Sequence, residues 1–328
     1  MNIGKIPETV LKRSVLKQIK HRRDEVLVAP SVGIDCSIIG LSNNDLIVMS
    51  TDPLVGLIDD LGCLAVNITA NNIASCGAEI IGIMLSILLP EGTLEQELKK
   101  LMQDVEATCH RLNIDILGGH TEVTNVVNQP VITVTGIGKT RQESIKKSSK
   151  LMPGQEIVMT KWAGIEATAI LSKAKEKELI TKYSLSFIQG AKKMLEYISV
   201  VPEAKIATDI GVVSMHDVRR GGIFGALWEM AAASKLGLEV DLKKIQLKQE
   251  TVEICEFYDL NPYTLTSGGS MLIVTDRANY LVERLMEAGI LATAIGHIKE
   301  GNDRIIINEG EIRYLEPPKS DEIYKVMI

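Results

Sequence analysis

The sequence predicts an α+β protein of two domains, residues 1–150 and 151–328. Three observations carry this. Strand-like and helix-like segments follow one another in mixed order in both halves, without the strict alternation of a doubly wound sheet. A polar run from Lys139 to Lys150, followed by Pro153-Gly154, breaks the apolar periodicity near mid-chain. Hydrophobic residues make up 45% of the chain, enough apolar mass for full cores.

Taken in order, residues 1–18 lack a long apolar core and read as a capped amphipathic helix, not a signal peptide. Val26 to Val32 and Asp35 to Ile39 read as short strands broken at Gly33, and Asp45 to Ser50 as a strand ending on Thr51-Asp52-Pro53. From Asp60 to Ala74 small and apolar residues recur at helical spacing, with Gly77 as the stop. Ile80 to Leu89 is a buried strand, and Glu95 to Leu112 an amphipathic helix opened by Thr93. Ile114 to Leu117 is a strand ending on Gly118-Gly119-His120-Thr121, and Val131 to Ile137 is another. Past the polar run, Glu156 to Thr160 is a strand, Ile165 to Lys173 a helix, and Lys175 to Tyr197 a polar helical region. Leu238 to Val240 and Met271 to Val274 are strands, Glu250 to Tyr258 and Tyr280 to Ala288 helices, and three short strands end the chain.

Composition narrows the function. With three Phe, seven Tyr and two Trp, base stacking on aromatic platforms is disfavoured. A net charge of −6 argues against nucleic acid or a membrane surface as partner. Five scattered cysteines without a C-x-x-C pair read as reduced thiols in a cytoplasmic protein. The longest apolar run, Ile80 to Leu89, is too short to cross a bilayer.

The strongest chemical signal is Met215-His216-Asp217-Val218-Arg219-Arg220-Gly221-Gly222, between a strand-like run (Ile210 to Val213) and a helix (Ile223 to Ser234). Strand, polar turn, paired glycines and helix in that order set backbone N–H groups and a helix dipole beside Asp217 and two arginines. Such a junction suits a phosphate-bearing ligand, with Asp217 able to hold a metal. A plain helix entry capped by Asp217 fits the same residues. Gly164, before the Ile165 helix, is a second candidate anion turn or a plain helix entry.

Four polar clusters mark the first domain: Gly33-Ile34-Asp35, Thr51-Asp52, Asn67 with Asn71-Asn72, and Gly118-Gly119-His120-Thr121-Glu122. Asp35 and Asp52 fall where loops begin or end, and two carboxylates with amide oxygens and water suit Mg²⁺. Asn67 and Asn71, four apart, share a helix face and can project into one cleft. Singly, each cluster also reads as turn chemistry or a solvated pair. Their joint order carries more weight.

That order resembles the PurM-like superfamily of aminoimidazole ribonucleotide synthetase, selenophosphate synthetase, thiamine-monophosphate kinase and the hydrogenase-maturation protein HypE. The resemblance runs from Gly4 to Pro317 and is nearest to the HypE branch. Gly33-Ile34-Asp35-Cys36 stands for a Gly-Asp-Asp-Ala motif, Ser50-Thr51-Asp52 for Thr-Thr-Asp, and Asn71-Asn72 before Gly77-Ala78 for Asn-Asp. Gly119-His120-Thr121-Glu122 stands for Gly-Asp-Thr-Lys, and Met215, Asp217, Arg220, Gly221 and Gly222 keep the Met-Arg-Asp-x-x-Arg-Gly-Gly motif. The resemblance implies a mixed-sheet first domain that pairs in a homodimer into a β-barrel, and an α/β second domain. It implies ATP and Mg²⁺ as cofactors and phosphoryl transfer to an oxygen of an amide, carboxamide or similar acceptor. Asp35, Asp52 and Asn72 would hold metal. Asn67, Asn71, Gly118, Gly119, Thr121, Arg220, Gly221 and Gly222 would contact the nucleotide, with Asp217 and His120 as catalytic groups.

The departures bear on the reaction. No cysteine follows Cys255, so the thiol that ends HypE proteins is missing. Ser267-Gly268-Gly269-Ser270 replaces an Asn-Glu-Gly-Lys turn, Glu122 replaces a lysine, and Asn72 and His120 replace carboxylates. The sequence reading is thus an ATP-dependent phosphoryl-transfer protein with an unidentified acceptor. Its alternatives are a hydrogenase maturation factor acting on a partner protein's thiol, and a non-catalytic nucleotide-binding scaffold dimer.

Overall fold

The computed structural model describes residues 8–10, 26–28, 31–32, 37–40, 45–56, 59–146 and 148–327. They form two compact units that divide between Ile145 and Lys146, with residues 8–10 and 31–32 belonging to the second. The expected N-terminal helix is described only as α1 (Glu8–Val10); its other residues lie outside the described ones.

The N-terminal unit is a six-stranded mixed sheet with two helices on one face. Its strands are β1 (Val26–Val28), β2 (Ser37–Gly40), β3 (Asp45–Val55), β4 (Glu79–Pro90), β5 (Asp115–Thr124) and β6 (Val131–Arg141). They run in the order β1-β2-β3-β6-β4-β5, and only the β4–β5 pair is parallel. The helices are α2 (Leu61–Ser75) and α3 (Glu95–Leu112). Helix α2 is buried on nearly every side and stops at Gly77, whose φ of 75° lets its N–H reach Ala74 O at 2.9 Å. Helix α3 buries Leu101, Val105, Thr108 and Cys109, one stripe at helical spacing. Thr93 does not open it: its hydroxyl donates to Pro90 O, and Glu97 instead accepts the Leu94 N–H at 2.8 Å.

Two strands run further than their apolar patterns. Strand β3 continues through Thr51-Asp52-Pro53, because β6 pairs with it residue by residue as far as Val55↔Val131. Strand β5 continues through Gly118-Gly119-His120-Thr121 because β4 supplies a partner to Thr124. Strand β1 is described over Val26–Val28, Ala29 and Pro30 lie outside the described residues, and Val32 lies in a turn.

The C-terminal unit holds a seven-stranded sheet of β7 (Glu156–Thr160), β8 (Ser214–Val218), β9 (Gly237–Asp241), β10 (Ser270–Thr275), β11 (Ala292–Lys299), β12 (Arg304–Asn308) and β13 (Glu311–Tyr314). Its order is β13-β12-β9-β11-β7-β10-β8. Every pairing is antiparallel except β9–β12, so this sheet is mixed and the α/β expectation does not hold. The helices are α4 (Ile165–Ala174), α5 (Glu176–Leu179), α6 (Leu185–Lys193), α7 (Val201–Ile210) and α8 (Gly222–Ser234). After them come α9 (Gln249–Tyr258), α10 (Ala278–Glu287) and α11 (Tyr324–Met327). Ile157, Met159, Leu272 and Val274 of the sheet share a core with Ile223, Leu227 and Met230 of α8.

Glycine sets how closely α2 approaches β6. A Cβ at Gly136 would stand 2.6 Å from Thr69 Cγ2, and one at Gly138 2.5 Å from Ile73 Cγ2. Gly138→Val is therefore expected to cost about 1–3 kcal/mol by overpacking, read as a lowered urea midpoint. Gly56→Ala, with no atom within 4 Å of the added methyl, is expected to stay within about 0.5 kcal/mol of the parent. Equal midpoints for the two variants would contradict the close approach.

Candidate functional site

In the N-terminal unit the structure brings Asp52 and Asn72 together. Asp52 pairs with Val134 in mid-strand and, like Ser50 and Leu54, faces the side of the sheet that α2 covers. It does not sit at a loop edge as the sequence suggested. Asn72, in the last turn of α2, donates Nδ2 to Asp52 Oδ2 at 2.7 Å and to Ser50 Oγ at 3.0 Å. An amide suits that position because it donates to the carboxylate, where an acid would repel it. Asn67 and Asn71 are both buried in the same helix. Asn67 Nδ2 donates to Cys63 O at 2.8 Å, and its Oδ1 is buried without accepting a hydrogen bond. Asp35 lies outside the described residues. Among the described residues no three His, Cys, Asp or Glu side chains gather as a metal cage.

His120 is not near that pair. The expected glycine turn, Gly118-Gly119, is extended edge strand with φ of 150° and 158°. Its glycines serve strand packing: a Cβ at Gly119 would stand 2.1 Å from Leu85 O. His120 pairs with Ser86 on the face without helices, opposite to Asp52, and its side chain is 71% exposed, 3.5 Å from Glu122 Oε2. Strands β6 and β4 lie between β3 and β5, a lateral distance of roughly 14 Å. Thr121, on the neighbouring position of β5, is also exposed.

In the C-terminal unit the junction of strand, glycines and helix exists but is displaced. Ile210 ends α7 rather than starting a strand, Gly211 (φ 82°) turns the chain, and β8 itself contains His216 and Asp217. Asp217 is thus a buried strand residue and does not cap α8. Gly221 and Gly222 adopt φ of 81° and 62°. A Cβ at Gly222 would lie 2.5 Å from Tyr263 O, so only glycine fits this entry. Neither glycine amide points into solvent. Gly222 N–H donates to Arg219 O at 3.1 Å, and Gly221 N–H to Asp321 Oδ2 at 2.7 Å. Gly164 is likewise engaged, its N–H donating to Ser267 Oγ at 2.7 Å.

Two carboxylates at this junction escaped the sequence reading. Glu166, in the first turn of α4, is buried with Oε2 3.8 Å from Arg219 Nε and beside the Gly268 backbone. Burial pushes its pKa up; Arg219, Arg220 and the Gly268 N–H oppose this, and Asp321 adds to it. Oε2 lies only 2.3 Å from where a Gly268 Cβ would stand, so the bare loop at Gly268 is what admits it. Asp321 comes from the C-terminal segment, and no local pattern links it to Gly221. A separate buried pair, Lys161 with Glu203 at 2.5 Å, also binds Tyr197 O and Ser199 O. Burial pulls the Lys161 pKa down, and Glu203 opposes this. Cys109 and Cys255 are buried, which lifts their thiols to about 11 and about 12 and leaves them poor nucleophiles.

Two mixed α+β units, an acid–amide pair on one sheet and a strand–glycine–helix junction on the other define a class already met in sequence. The family models for AIR synthase related protein, N-terminal and C-terminal domain, match residues 33–140 and 152–308. The chain belongs to the AIR synthase related family. It is 25% identical to a Methanocaldococcus jannaschii protein named for hydrogenase expression or formation, over 98% of this chain and 97% of that protein. It is 27% identical to the carbamoyl dehydratase HypE of Rhizobium leguminosarum bv. viciae, over 76% of this chain and 73% of the relative. Hydrogenase maturation protein HypE, solved in complex with ATP, superposes with a TM-score of 0.74 at 19% identity, over 98% of this chain and 97% of the other.

The raised Glu166 pKa gives stability a pH slope. The folded state holds this proton more tightly than the unfolded chain, so its contribution is full below the ordinary carboxylate range and falls as pH rises through the folded value. Glu166→Gln is expected to flatten that slope in urea midpoints taken from about pH 4 to pH 8. Parallel slopes for parent and variant would contradict the assignment.

Proposed function

We propose that this protein binds ATP with Mg²⁺ and transfers the γ-phosphoryl group to an oxygen of an amide, carboxamide or similar acceptor. The observation that carries the reading is the Asp52 carboxylate, held in place by Asn72 where the family resemblance puts a metal ligand. The likeness to an ATP-bound maturation protein and to a carbamoyl dehydratase supports it. The donor set fits Mg²⁺, which takes one or two carboxylates and completes its shell with water and substrate phosphates, not a full protein cage. Asp52 would hold it with Asp35 and Asn72, and the ion would neutralise phosphate charge.

The protein's own groups do the rest. By the resemblance, Arg220 and the α8 glycines are assigned to phosphate, Asp217 to the acceptor, and Asn67, Asn71, Gly118, Gly119 and Thr121 to the nucleotide. Phosphoryl transfer depends on positioning and charge neutralisation and needs no protein nucleophile. This agrees with the inert Cys109 and Cys255 thiols. In this reading residues 1–150 form the ATP-binding and dimerisation domain and residues 151–328 the C-terminal domain. The dimer pairs the helix-free faces of two six-stranded sheets into a barrel. Val55, Met84 and Leu117, 61%, 48% and 55% exposed, supply apolar surface for it. His120 then lies at the subunit junction, and a catalytic role for it depends on the dimer.

Calorimetric titration with Mg·ATP is expected to show binding that weakens at least about tenfold in Asp52→Ala, roughly 1.4 kcal/mol; equal affinities would count against the metal site. Met84→Glu places a charge on the pairing face, and sedimentation is expected to show monomer where the parent is dimeric. A dimer that survives the change would remove the barrel arrangement.

A further inference from the structure

The groups assigned to phosphate in the C-terminal unit are already engaged by the C-terminal segment of the same chain. Asp321 Oδ2 accepts the Gly221 N–H at 2.7 Å, and its Oδ1 accepts the N–H groups of Thr266 and Ile323, both at 3.1 Å. The carboxylate therefore occupies two backbone donors outside its own segment, Gly221 and Thr266, at the positive end of the α8 dipole, and is turned toward them by its local bond to Ile323 N–H. The Arg220 guanidinium stands over the Tyr324 ring, 5.7 Å from its centroid. Pro318 lies 3.6 Å from where a Gly221 Cβ would be, covering the glycine face of α8. One segment thus occupies both the amide and the arginine on which phosphate binding depends.

The attachment of this segment is local, confined to residues 321–326 at its end. Residues 315–320 form no helix or strand, and most of them are exposed. Beyond Asp321, Ile323 enters an apolar cluster with Leu260 and Leu265, Tyr324 and Val326 pack partly buried against it, and Glu322 accepts the Asn261 N–H at 3.0 Å. The closing helix, α11, has only four residues. A short segment with two buried side chains on an exposed tether opens more readily than the sheet it rests on.

We propose that residues 316–327 form a latch on the α8 junction, in which the Asp321 carboxylate and a nucleotide phosphate compete for the same N–H donors. The proposal rests on the ATP reading above and adds its regulation. Opening the latch releases the Gly221 and Thr266 amides and lifts Tyr324 from Arg220, so affinity for nucleotide scales with the open fraction. A latch that is open a tenth of the time weakens apparent binding about tenfold.

The test is calorimetric titration of the full-length protein with Mg·ATP, in the parent, Asp321→Asn and Tyr324→Ala. Asp321→Asn keeps the shape and removes the competing charge, and is expected to bind about tenfold tighter. Tyr324→Ala leaves Asp321 in place, removes the ring under the Arg220 guanidinium and is expected to move affinity in the same direction. In the parent, the amides of residues 323–327 are expected to exchange hydrogen faster at saturating Mg·ATP. Folded variants that bind no more tightly than the parent overturn the latch, as does unchanged exchange with ATP bound. Parent binding with indifferent variants removes the latch alone; no binding in any of the three removes the nucleotide reading and the latch with it.

Discussion

Two absent side chains on β6 govern the N-terminal unit. At Gly136 and Gly138 the backbone of β6 lies so near α2 that any Cβ would strike Thr69 or Ile73. That closeness brings the last turn of α2 down onto β3 and puts the Asn72 amide within bonding distance of Asp52 and Ser50. A carboxylate drawn toward a covered sheet face is costly without a donor, and a hydrogen bond to a charged group contributes about 1.5–3 kcal/mol. The neutral residue at position 72 is consistent with that role. It removes a charge from the assigned metal shell and in exchange fixes the direction of the carboxylate that remains.

The C-terminal unit applies the same device to a different end. Gly222 lets α8 begin beneath Tyr263, and Gly268 leaves the volume that Glu166 fills. Acidic groups then converge on the junction from two distant parts of the chain, Glu166 from α4 beside Arg219 and Asp321 from the C-terminal segment on the Gly221 amide. The outcome is a junction whose Gly221, Gly222 and Thr266 amides are bonded within the unit. Asp52, by contrast, accepts from the Asn72 amide in the last turn of α2.

Much of this was legible in sequence, and the gaps have physical causes. Helix α3 and strand β7 have the predicted bounds, because the α3 stripe and the β7 apolar run are properties of local order. The misread boundaries at Thr51-Asp52-Pro53, Gly118-Gly119 and Ser214–Val218 share one cause: polar or glycine residues signal a turn locally, while a neighbouring strand supplies the pairing that keeps them extended. Asp52 and Asn72 could be named because each sits in a motif, and only the fold shows that they touch. His120 could be named for the same reason, yet strand alternation puts it on the other face. Glu166 and Asp321 gave no local signal. The sole trace of Glu166 was a loop, Gly268-Gly269, whose missing side chains read as a loss when they are in fact room for another residue.

The central claim is that a metal–nucleotide complex is held at Asp52 on the helix-covered face of the sheet. Paramagnetic broadening by Mn²⁺·ATP, read on methyl-labelled protein, reports that location without knowledge of the acceptor. The account predicts strongest broadening of the Leu54 and Ile73 methyl signals, whose residues flank Asp52 and Asn72 closely in the chain, and weaker broadening of Val123 on the β5 edge. Broadening centred on Val123, or none at saturating Mn²⁺·ATP, would contradict it.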